Sequence, residues 1–340
     1  MPAIELLYQA ALDMPAARTC IINAHAHPLL ADLQQQTQLL ALQQHFKPEY
    51  TALQRNHLSV SPDWPEPAER FDLILLLPAK NKQQTRGWLA AALHRLSDTG
   101  RLMVAAANTH GARSYATALQ QLTGQITSRS KSKCRIFSAR KTAAFDTALT
   151  EQWMNDAQPQ YLEPHGLGSH GLYTQAGLFS WDRADTGSSL LLQQLPALSG
   201  KGMDLCCGYG LLSEHILRHP NTVSNIHLVE ADHLALNCAK QNMAKRTHPI
   251  QYHWLDAAHD PLPQGLDWIV CNPPFHSGQT RDVELGQHIA QRGCESLKRG
   301  GVLYLVANRK LPYERLLQSA LHQCQTLIEA DGFKVIQGIR

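Results

Sequence analysis

The stretch Cys271-Asn272-Pro273-Pro274-Phe275 combines residue types that suit the binding of a planar amine. It follows the apolar run 266–270, which the pattern predicts to be a buried strand. The Asn272 side chain and the backbone carbonyl after it can each accept a hydrogen bond, while the prolines stiffen the loop and remove backbone donors. Phe275 adds a flat apolar face. Because ligands of open α/β sheets bind at the carboxyl ends of strands, this loop is predicted to hold a planar group that carries an NH2.

Three further predicted strands end in residues that suit a nucleoside. Strand 201–205 contains Asp204 and leads into Cys206-Cys207-Gly208-Tyr209-Gly210, a turn whose glycines let a ligand approach the backbone closely. The next strand ends at Glu230, about 20 residues past the glycines, where an acid suits a ribose diol. A third strand ends just before Asp256, an acid that suits an adenine amino group.

Gly208-x-Gly210 is weak evidence by itself. A nicotinamide dehydrogenase would carry a third glycine at the position of Ser213 and would have no use for the loop at 272–275. Four strand ends with suitable residues in succession are instead typical of a class I S-adenosylmethionine methyltransferase. Asn-Pro-Pro-Phe is the version of the loop that methylates an amino nitrogen.

The same order of elements occurs earlier in the chain, which indicates a duplication. A strand over 71–78 ends at a proline and is followed by a helix over 82–97, Gly100 and a strand over 101–107. When Asp72 is aligned with Asp267, Leu77 stands opposite Asn272 and Lys80 opposite Phe275. The first copy is thus predicted to keep the scaffold and to lack the chemistry. Its other predicted elements are helices over 3–12, 32–45 and 111–122 and strands over 19–23 and 134–139.

Charge is spread unevenly over the chain. Residues 1–150 contain 16 Lys and Arg against 10 Asp and Glu, a balance of +6, and the remaining residues contain 15 against 18, a balance of −3. A run of basic residues without an acid among them accounts for much of this excess. We predict that this run contacts RNA phosphates, against the alternative of a solvated basic face. Its members are Arg129, Lys131, Lys133, Arg135, Arg140 and Lys141.

Bulk properties set broader limits. With 340 residues the chain fits two domains, and 44% apolar residues indicate a globular protein. It has no apolar run of transmembrane length and no leader pattern, so no membrane association and a cytoplasmic location are expected. The eight cysteines show no zinc spacing, and His25-x-His27 has no third ligand nearby, so no metal site is predicted.

Three motifs together resemble the bacterial ribosomal RNA guanine-N2 methyltransferases, and among them the small-subunit (16S) enzymes most. They are Gly177-Leu178-Phe179-Ser180 before an Asp-x-Gly element, Asn272 to Gly278, and Val306-Ala307-Asn308 followed by Leu311-Pro312-Tyr313. The resemblance is specific over residues 160–340 and looser over 70–140. It implies two tandem class I, Rossmann-like α/β folds, with a seven-stranded, mostly parallel sheet in the C-terminal copy and a degenerate N-terminal copy. The expected domains are 1–150 and 172–340, with a linker over 151–171.

The resemblance also implies a function and a site. The function is S-adenosylmethionine-dependent methylation of the exocyclic N2 of a guanine in ribosomal RNA, by a monomer that meets the RNA or the small subunit. Asn272, Pro273, Pro274 and Phe275 would act on the base. The implied cofactor residues are Phe179, Asp185, Asp204, Cys206, Gly208, Gly210, Glu230, Asp256, Ala257 and Asn272. Arg309 and Lys310 would contact RNA, and Cys206, where the family has a glycine, predicts crowding of the cofactor.

Alternative functions stay open at this point. Within methyltransferases they are guanine-N2 methylation of 23S rRNA, adenine N6 methylation and protein glutamine N5 methylation. Outside enzymes, a non-catalytic factor that binds ribosomal RNA during assembly would use two inactive copies. Binding of S-adenosylmethionine separates this last reading from the others.

Overall fold

The computed structural model describes residues 2–141, 145–163, 171–274 and 280–340. The chain divides into two compact units, Met1–Gln158 and Pro159–Arg340. In the part of the chain that the structure describes, no helix is long and apolar enough to cross a membrane.

The first unit is built on a seven-stranded sheet with strand order β3-β2-β1-β4-β5-β7-β6. The strands from β3 to β5 pair in parallel, and β7 pairs antiparallel with both β5 and β6. Its elements are α1 (Pro2–Leu12), β1 (Arg18–Ile22), α2 (Leu29–Gln36), β2 (Leu39–Gln43), α3 (Lys47–Arg55), β3 (Val60–Ser61), β4 (Phe71–Leu76), α4 (Lys82–His94), β5 (Leu96–Ala107), α5 (Ala112–Thr123), β6 (Thr127–Lys131), β7 (Cys134–Arg140) and α6 (Thr147–Asp156).

The second unit repeats this arrangement with strand order β12-β11-β10-β13-β14-β16-β15, and a small two-stranded sheet, β8-β9, precedes it. Its elements are β8 (Gln160–Leu162), β9 (Leu172–Thr174), α7 (Thr186–Gln194), β10 (Ser199–Leu205), α8 (Leu211–Arg218), β11 (Thr222–Glu230), α9 (His233–Met243), β12 (Ile250–Trp254), β13 (Leu266–Cys271), α10 (Thr280–Ser296), β14 (Leu297–Asn308), α11 (Tyr313–Ala320), β15 (Gln323–Ala330) and β16 (Phe333–Ile339).

The two units agree in detail as well as in strand order. β5 and β14 are both 12 residues long, and buried and exposed positions alternate along them almost identically. Each unit has apolar clusters on both faces of its sheet, as expected when helices cover both sides of parallel strands. The predicted tandem Rossmann-like fold is therefore confirmed.

One predicted element is wrong. The helix expected over 32–45 is a helix only to Gln36, and Leu39–Gln43 forms the strand β2, which pairs in parallel with β1. The Gln- and Leu-rich composition favours a helix locally, but the backbone hydrogen bonds offered by β1 decide the conformation.

The domain boundary expected at residue 150 falls inside α6. This helix packs against α4, and its Trp153 is buried in the core of the first unit. A Cβ on Gly87 of α4 would stand 2.1 Å from the Ala157 Cβ, so the two segments approach closely. These contacts hold the chain to the first unit as far as Gln158.

Candidate active site

The carboxyl ends of β10, β11 and β13 lie side by side, which brings three of the predicted site segments to one edge. Leu205 pairs with Val229 on one side and with Cys271 on the other. Cys206 and Asn272 follow β10 and β13 directly, and Glu230 is the last residue of β11. The parallel register therefore places the glycine turn between the acid and the amide.

The glycine turn uses left-handed backbone conformations at three positions. Cys206 has φ +64°, Gly208 +55° and Gly210 +84°. A Cβ on Gly208 would meet no described atom within 4 Å, so the backbone there faces open space. A Cβ on Gly210 would stand 3.2 Å from the Ala239 Cβ, so this glycine lets α8 pack against α9. The turn thus offers bare backbone to a ligand on one side and close helix packing on the other.

Asp204 lies beneath this turn with its side chain fully buried. Its Oδ2 accepts hydrogen bonds from the Ser213 backbone N–H (3.1 Å) and hydroxyl (2.6 Å), which ties β10 to the first turn of α8. Among the described residues, no donor reaches its Oδ1. Burial raises the pKa of Asp204 to about 7. A cation that reached Oδ1 would relieve both the missing hydrogen bond and the cost of the buried charge.

Cys206 is partly buried beside the glycine turn. The side chain packs against the apolar cluster on the α10 side of the sheet, close to Cys271. The interaction with the Cys271 thiol, together with burial, raises the pKa of Cys206 well above its usual value. The crowding of the cofactor expected from the sequence stays a prediction, and the positive φ of Cys206 adds a cost in backbone strain.

The Glu230 carboxylate accepts hydrogen bonds from three backbone N–H groups of the neighbouring loops. Its Oε2 accepts from the Gly208 N–H at 2.8 Å, and its Oε1 accepts from the N–H groups of Ala231 (2.8 Å) and Asp232 (2.9 Å). Burial raises the pKa of Glu230, and the N–H donors of Asp232 and Gly208 oppose that rise. Oε2 accepts from only one donor and therefore keeps a lone pair for a further one, such as a ribose hydroxyl.

Asp256 follows β12 and is held by local bonds. Its Oδ1 accepts from the Ala258 N–H at 3.0 Å, and its Oδ2 lies 2.7 Å from Nδ1 of the exposed His259. From α10, Arg292 donates to the carbonyl of the buried Ala257 at 2.6 Å. The local hydrogen bonds of Asp256 and the contact from Arg292 of α10 therefore hold the loop in which an adenine site is predicted.

Asn272 is the most constrained residue of the Asn-Pro-Pro segment. Its Nδ2 donates to Asp185 Oδ2 (3.0 Å) and to Ser188 Oγ (2.9 Å), both at the start of α7. Among the described residues, no donor reaches its Oδ1. Pro273 is buried and Pro274 exposed, whereas Phe275 lies outside the described residues, so its stacking role stays a prediction.

The Gly-Leu-Phe-Ser segment lies beside the glycine turn. Leu178 and Tyr209 pack in one apolar cluster, and the Tyr209 hydroxyl donates to the Ser180 carbonyl at 3.4 Å. Phe179 is 58% exposed, so its ring faces solvent. The segment thus presents an aromatic face next to the predicted cofactor residues.

These residues fit S-adenosylmethionine, judged from the protein alone. The unpartnered Asp204 Oδ1 suits the cofactor's ammonium group, and the open space at Gly208 lets the cofactor approach the backbone. Glu230 can accept a hydrogen bond from a ribose hydroxyl. No group of three or more His, Cys, Asp or Glu side chains among the described residues is arranged to hold a metal ion.

Comparison with known proteins identifies the family of this chain. Residues 169–337 match the model of the methyltransferase small domain, and residues 5–157 match that of its N-terminal domain. The chain belongs to the methyltransferase small domain family.

Relatives of this methyltransferase small domain protein carry informative names. A "Ribosomal RNA small subunit methyltransferase C" of Pseudomonas aeruginosa is 33% identical over 208 residues, 61% of each chain, so the match covers less than two thirds of that relative. The protein of the same name from Alteromonas mediterranea is 27% identical over 86% of this chain and 76% of its own length. A solved T. thermophilus 16S rRNA N2 methyltransferase (RsmC), in complex with AdoMet and guanosine, has a TM-score of 0.83 at 22% identity, covering 100% of this chain and 92% of its own.

In this methyltransferase small domain protein, the six basic residues of the first unit do not form one patch. Arg129 and Lys131 lie on one face of the exposed strand β6, and Lys133 is in the turn that follows; we call these three the hairpin basic cluster. Arg135 lies on the other face of the hairpin, because Arg129 pairs with Ile136. Arg140 and Lys141 lie at the far end of β7, roughly 20 Å from the turn.

Lys141 is also occupied locally, since its Nζ donates to the Leu96 carbonyl at 3.3 Å and lies 3.7 Å from Asp98. In the second unit, Arg309 and Lys310 are exposed just after β14, at the edge of the sheet that carries Asn272. Positive charge therefore lies at the predicted site edge of the methyltransferase small domain itself.

Ser188 and Arg292 contact the site segments but were not predicted from the sequence. Ser188 follows the Asp-x-Gly element directly, a position that could have drawn attention to it. On α10, Arg292 donates to the Ala257 carbonyl at 2.6 Å. One turn earlier, His288 Nε2 lies 3.1 Å from the Ala258 carbonyl. The contacts of Arg292 and His288 have no signal in the sequence, because they join residues 35 and 30 positions apart.

Proposed function

We propose that this chain transfers a methyl group from S-adenosylmethionine to the exocyclic N2 of a guanine in 16S ribosomal RNA, as a cytoplasmic monomer that acts on the small subunit. The observation that carries the proposal is the Asn272 amide, held with its nitrogen bonded and its oxygen available at the edge that also carries the glycine turn. The names of the relatives favour ribosomal RNA of the small subunit over the other substrates.

When bound, the cofactor supplies a methyl group on a sulfonium, which is already a good electrophile, so the protein's task is positioning. Asn272 Oδ1 and the Pro273 carbonyl accept the two N–H bonds of the guanine amino group. Two acceptors on those hydrogens draw the nitrogen toward a pyramidal geometry and aim its lone pair. As the N–CH3 bond forms the S–CH3 bond would break, which leaves a neutral thioether, and the methylated nitrogen would then release one N–H proton to water. No side chain of the protein therefore has to change its protonation state before transfer.

A base stacked in a helix cannot reach this edge, so the target guanine is unpaired or flipped out. Arg309 and Lys310 contact the RNA near the site, and the hairpin basic cluster of the first unit contacts RNA phosphates. These contacts to phosphate position the RNA, and the Asn272 segment reads the amino group.

The test is transfer of a tritiated methyl group to 16S rRNA, to small subunits, to 23S rRNA and to a release-factor protein, followed by nucleoside analysis. N2-methylguanosine in 16S rRNA is the expected product. Asn272→Ala should reduce transfer by at least about 100-fold while cofactor affinity, measured by calorimetry, changes little. Product in another substrate, or full activity of the variant, would refute the proposal, and no cofactor binding at all would favour an assembly factor.

A further inference from the structure

The carboxamide of Asn272 can act as an acceptor only if its oxygen faces the substrate. A carboxamide has a donor side and an acceptor side, and rotation by 180° exchanges them. In the wrong orientation, NH2 would face the NH2 of a guanine, and the two donors would repel. The proposed function therefore needs something that sets the orientation of this side chain.

Two residues at the start of α7 set the orientation of the Asn272 carboxamide. Asp185 Oδ2 accepts from Asn272 Nδ2 at 3.0 Å, and Ser188 Oγ accepts from the same nitrogen at 2.9 Å. A serine hydroxyl can donate as well as accept, so Ser188 alone would tolerate either orientation. A carboxylate only accepts, so turning the Asn272 oxygen toward Asp185 would bring two acceptors together. Asp185 therefore decides the orientation, and Ser188 uses the second N–H.

The local sequence explains why Asp185 can reach both partners. Its side chain caps α7, because Oδ2 also accepts from the Ser188 N–H at 2.7 Å. A Cβ on Gly187 would stand 3.2 Å from Asp185 Oδ2 and 3.1 Å from the Phe333 ring, so a glycine keeps this space free. Ser188 itself is 6% exposed, which shields its bond to Asn272 from water. The Asp-x-Gly-Ser sequence thus builds a capped helix start that also binds an amide.

Resting on the proposed function, we propose that Asp185 and Ser188 are positioning residues that lock the Asn272 carboxamide with its nitrogen toward α7 and its oxygen toward the substrate amine. The lock also polarises the amide, since a hydrogen bond from Nδ2 to a carboxylate increases negative charge on Oδ1. Asp185 acts on Asn272 and helix α7 rather than on the cofactor. The lock would select substrates that present an N–H donor to the site.

The test uses Ser188→Ala, Asp185→Ser and the double variant in the full chain. Serine caps a helix about as well as aspartate, so Asp185→Ser keeps the cap and removes the acceptor that faces Asn272. Thr186→Ala is the control, because Thr186 is exposed in the same turn. We expect kcat to fall roughly tenfold in Asp185→Ser and less in Ser188→Ala, because Asp185 still sets the orientation there. The double variant should lose more than either single variant, with cofactor affinity and the KM for RNA nearly unchanged.

A second measurement does not depend on activity. In protein labelled with 15N at asparagine, the Asn272 NH2 signals, identified by their loss in Asn272→Ala, should shift and exchange faster with water in Asp185→Ser but not in Thr186→Ala. Unchanged signals overturn the lock, whatever happens to kcat. Altered signals with unchanged kcat also overturn it, because orientation would then not matter for transfer. If the wild-type chain methylates no substrate, the proposed function fails, and the signals alone decide whether the lock exists.

Discussion

Replacing Cys206 tests whether the departure from the family's glycine costs stability or cofactor binding. Its φ of +64° lies in the left-handed region, which costs a residue with a Cβ about 1–2 kcal/mol relative to glycine. Cys206→Ala keeps that strain, Cys206→Gly removes it, and both lose the packing of the sulfur against the core. The greater freedom of glycine in the unfolded chain takes back about 0.5–1 kcal/mol. We therefore expect the glycine variant to be more stable than the alanine variant by up to about 1 kcal/mol.

The assay is thermal or urea unfolding of the two variants of the full chain, monitored for the C-terminal unit. A difference of about 1 kcal/mol shifts Tm by roughly 2–4 °C for a unit of this size. Cys207 is the control, because it is the next residue, is buried where Cys206 is partly buried, and is not among the residues with positive φ. At Cys207 the order should reverse, with alanine more stable than glycine.

Cofactor affinity gives the second readout. Because the sulfur packs into the core, Cys206→Gly should bind S-adenosylmethionine within about twofold of the wild type in calorimetry. An alanine variant more stable than the glycine variant would refute the strain argument. A tenfold gain in affinity on Cys206→Gly would show instead that the side chain crowds the cofactor.

Three further predictions follow from contacts in the two units. Burial raises the pKa of Asp204 to about 7, and an ammonium ligand needs the ionised carboxylate. Cofactor affinity should therefore rise by up to about tenfold per pH unit from pH 5.5 toward 7 and then level off. Asp204→Asn should abolish this pH dependence. Neutralising the hairpin basic cluster should weaken RNA binding and flatten its salt dependence, whereas Arg140→Gln should change both much less; equal effects would contradict a local contact. Gln44→Glu in the first unit should lower the free energy of unfolding by about 3 kcal/mol, because the new carboxylate faces Asn23 Oδ1 and the Ala24 carbonyl oxygen. In urea titrations the loss should grow from pH 5 to 8 as the carboxyl ionises. A loss that does not depend on pH would contradict this explanation.

The sequence could predict the residues at the strand ends because two simple regularities apply there. Short apolar runs mark parallel strands, and their carboxyl ends meet at one edge, so Asp204, Glu230 and Asn272 could be placed near one another without a structure. The duplication followed from the repeated order of elements. Both inferences depend only on local patterns and on the geometry of parallel sheets.

Other features could not be predicted, because they depend on tertiary contacts. The bonds from Asn272 to Asp185 and Ser188 join residues 87 and 84 positions apart. The direction of the Cys206 sulfur follows from a backbone angle that its residue type does not favour. The six basic residues are close in sequence but separate in space, because a hairpin alternates its side chains between two faces.

The first unit shows how a copy of this fold can lose its cofactor site while keeping its scaffold. Gln44 occupies the place of Glu230: its Oε1 accepts from the N–H two residues later at 3.0 Å, as Glu230 does from Asp232. Its other end is an NH2, which donates to Asn23 Oδ1 (3.2 Å) and to the Ala24 carbonyl (2.8 Å).

Asn23, with φ +56°, stands in the position of Cys206, and its Nδ2 donates to the carbonyl of Leu77, the counterpart of Asn272. The edge that is predicted to bind a ligand in the second unit is thus closed by protein hydrogen bonds in the first. Exchange of one carboxylate for an amide turns an acceptor for ribose hydroxyls into a donor for the protein's own backbone. The first unit gains internal stability from the groups that a cofactor would otherwise use, so its loss of chemistry and its retained fold have the same physical cause.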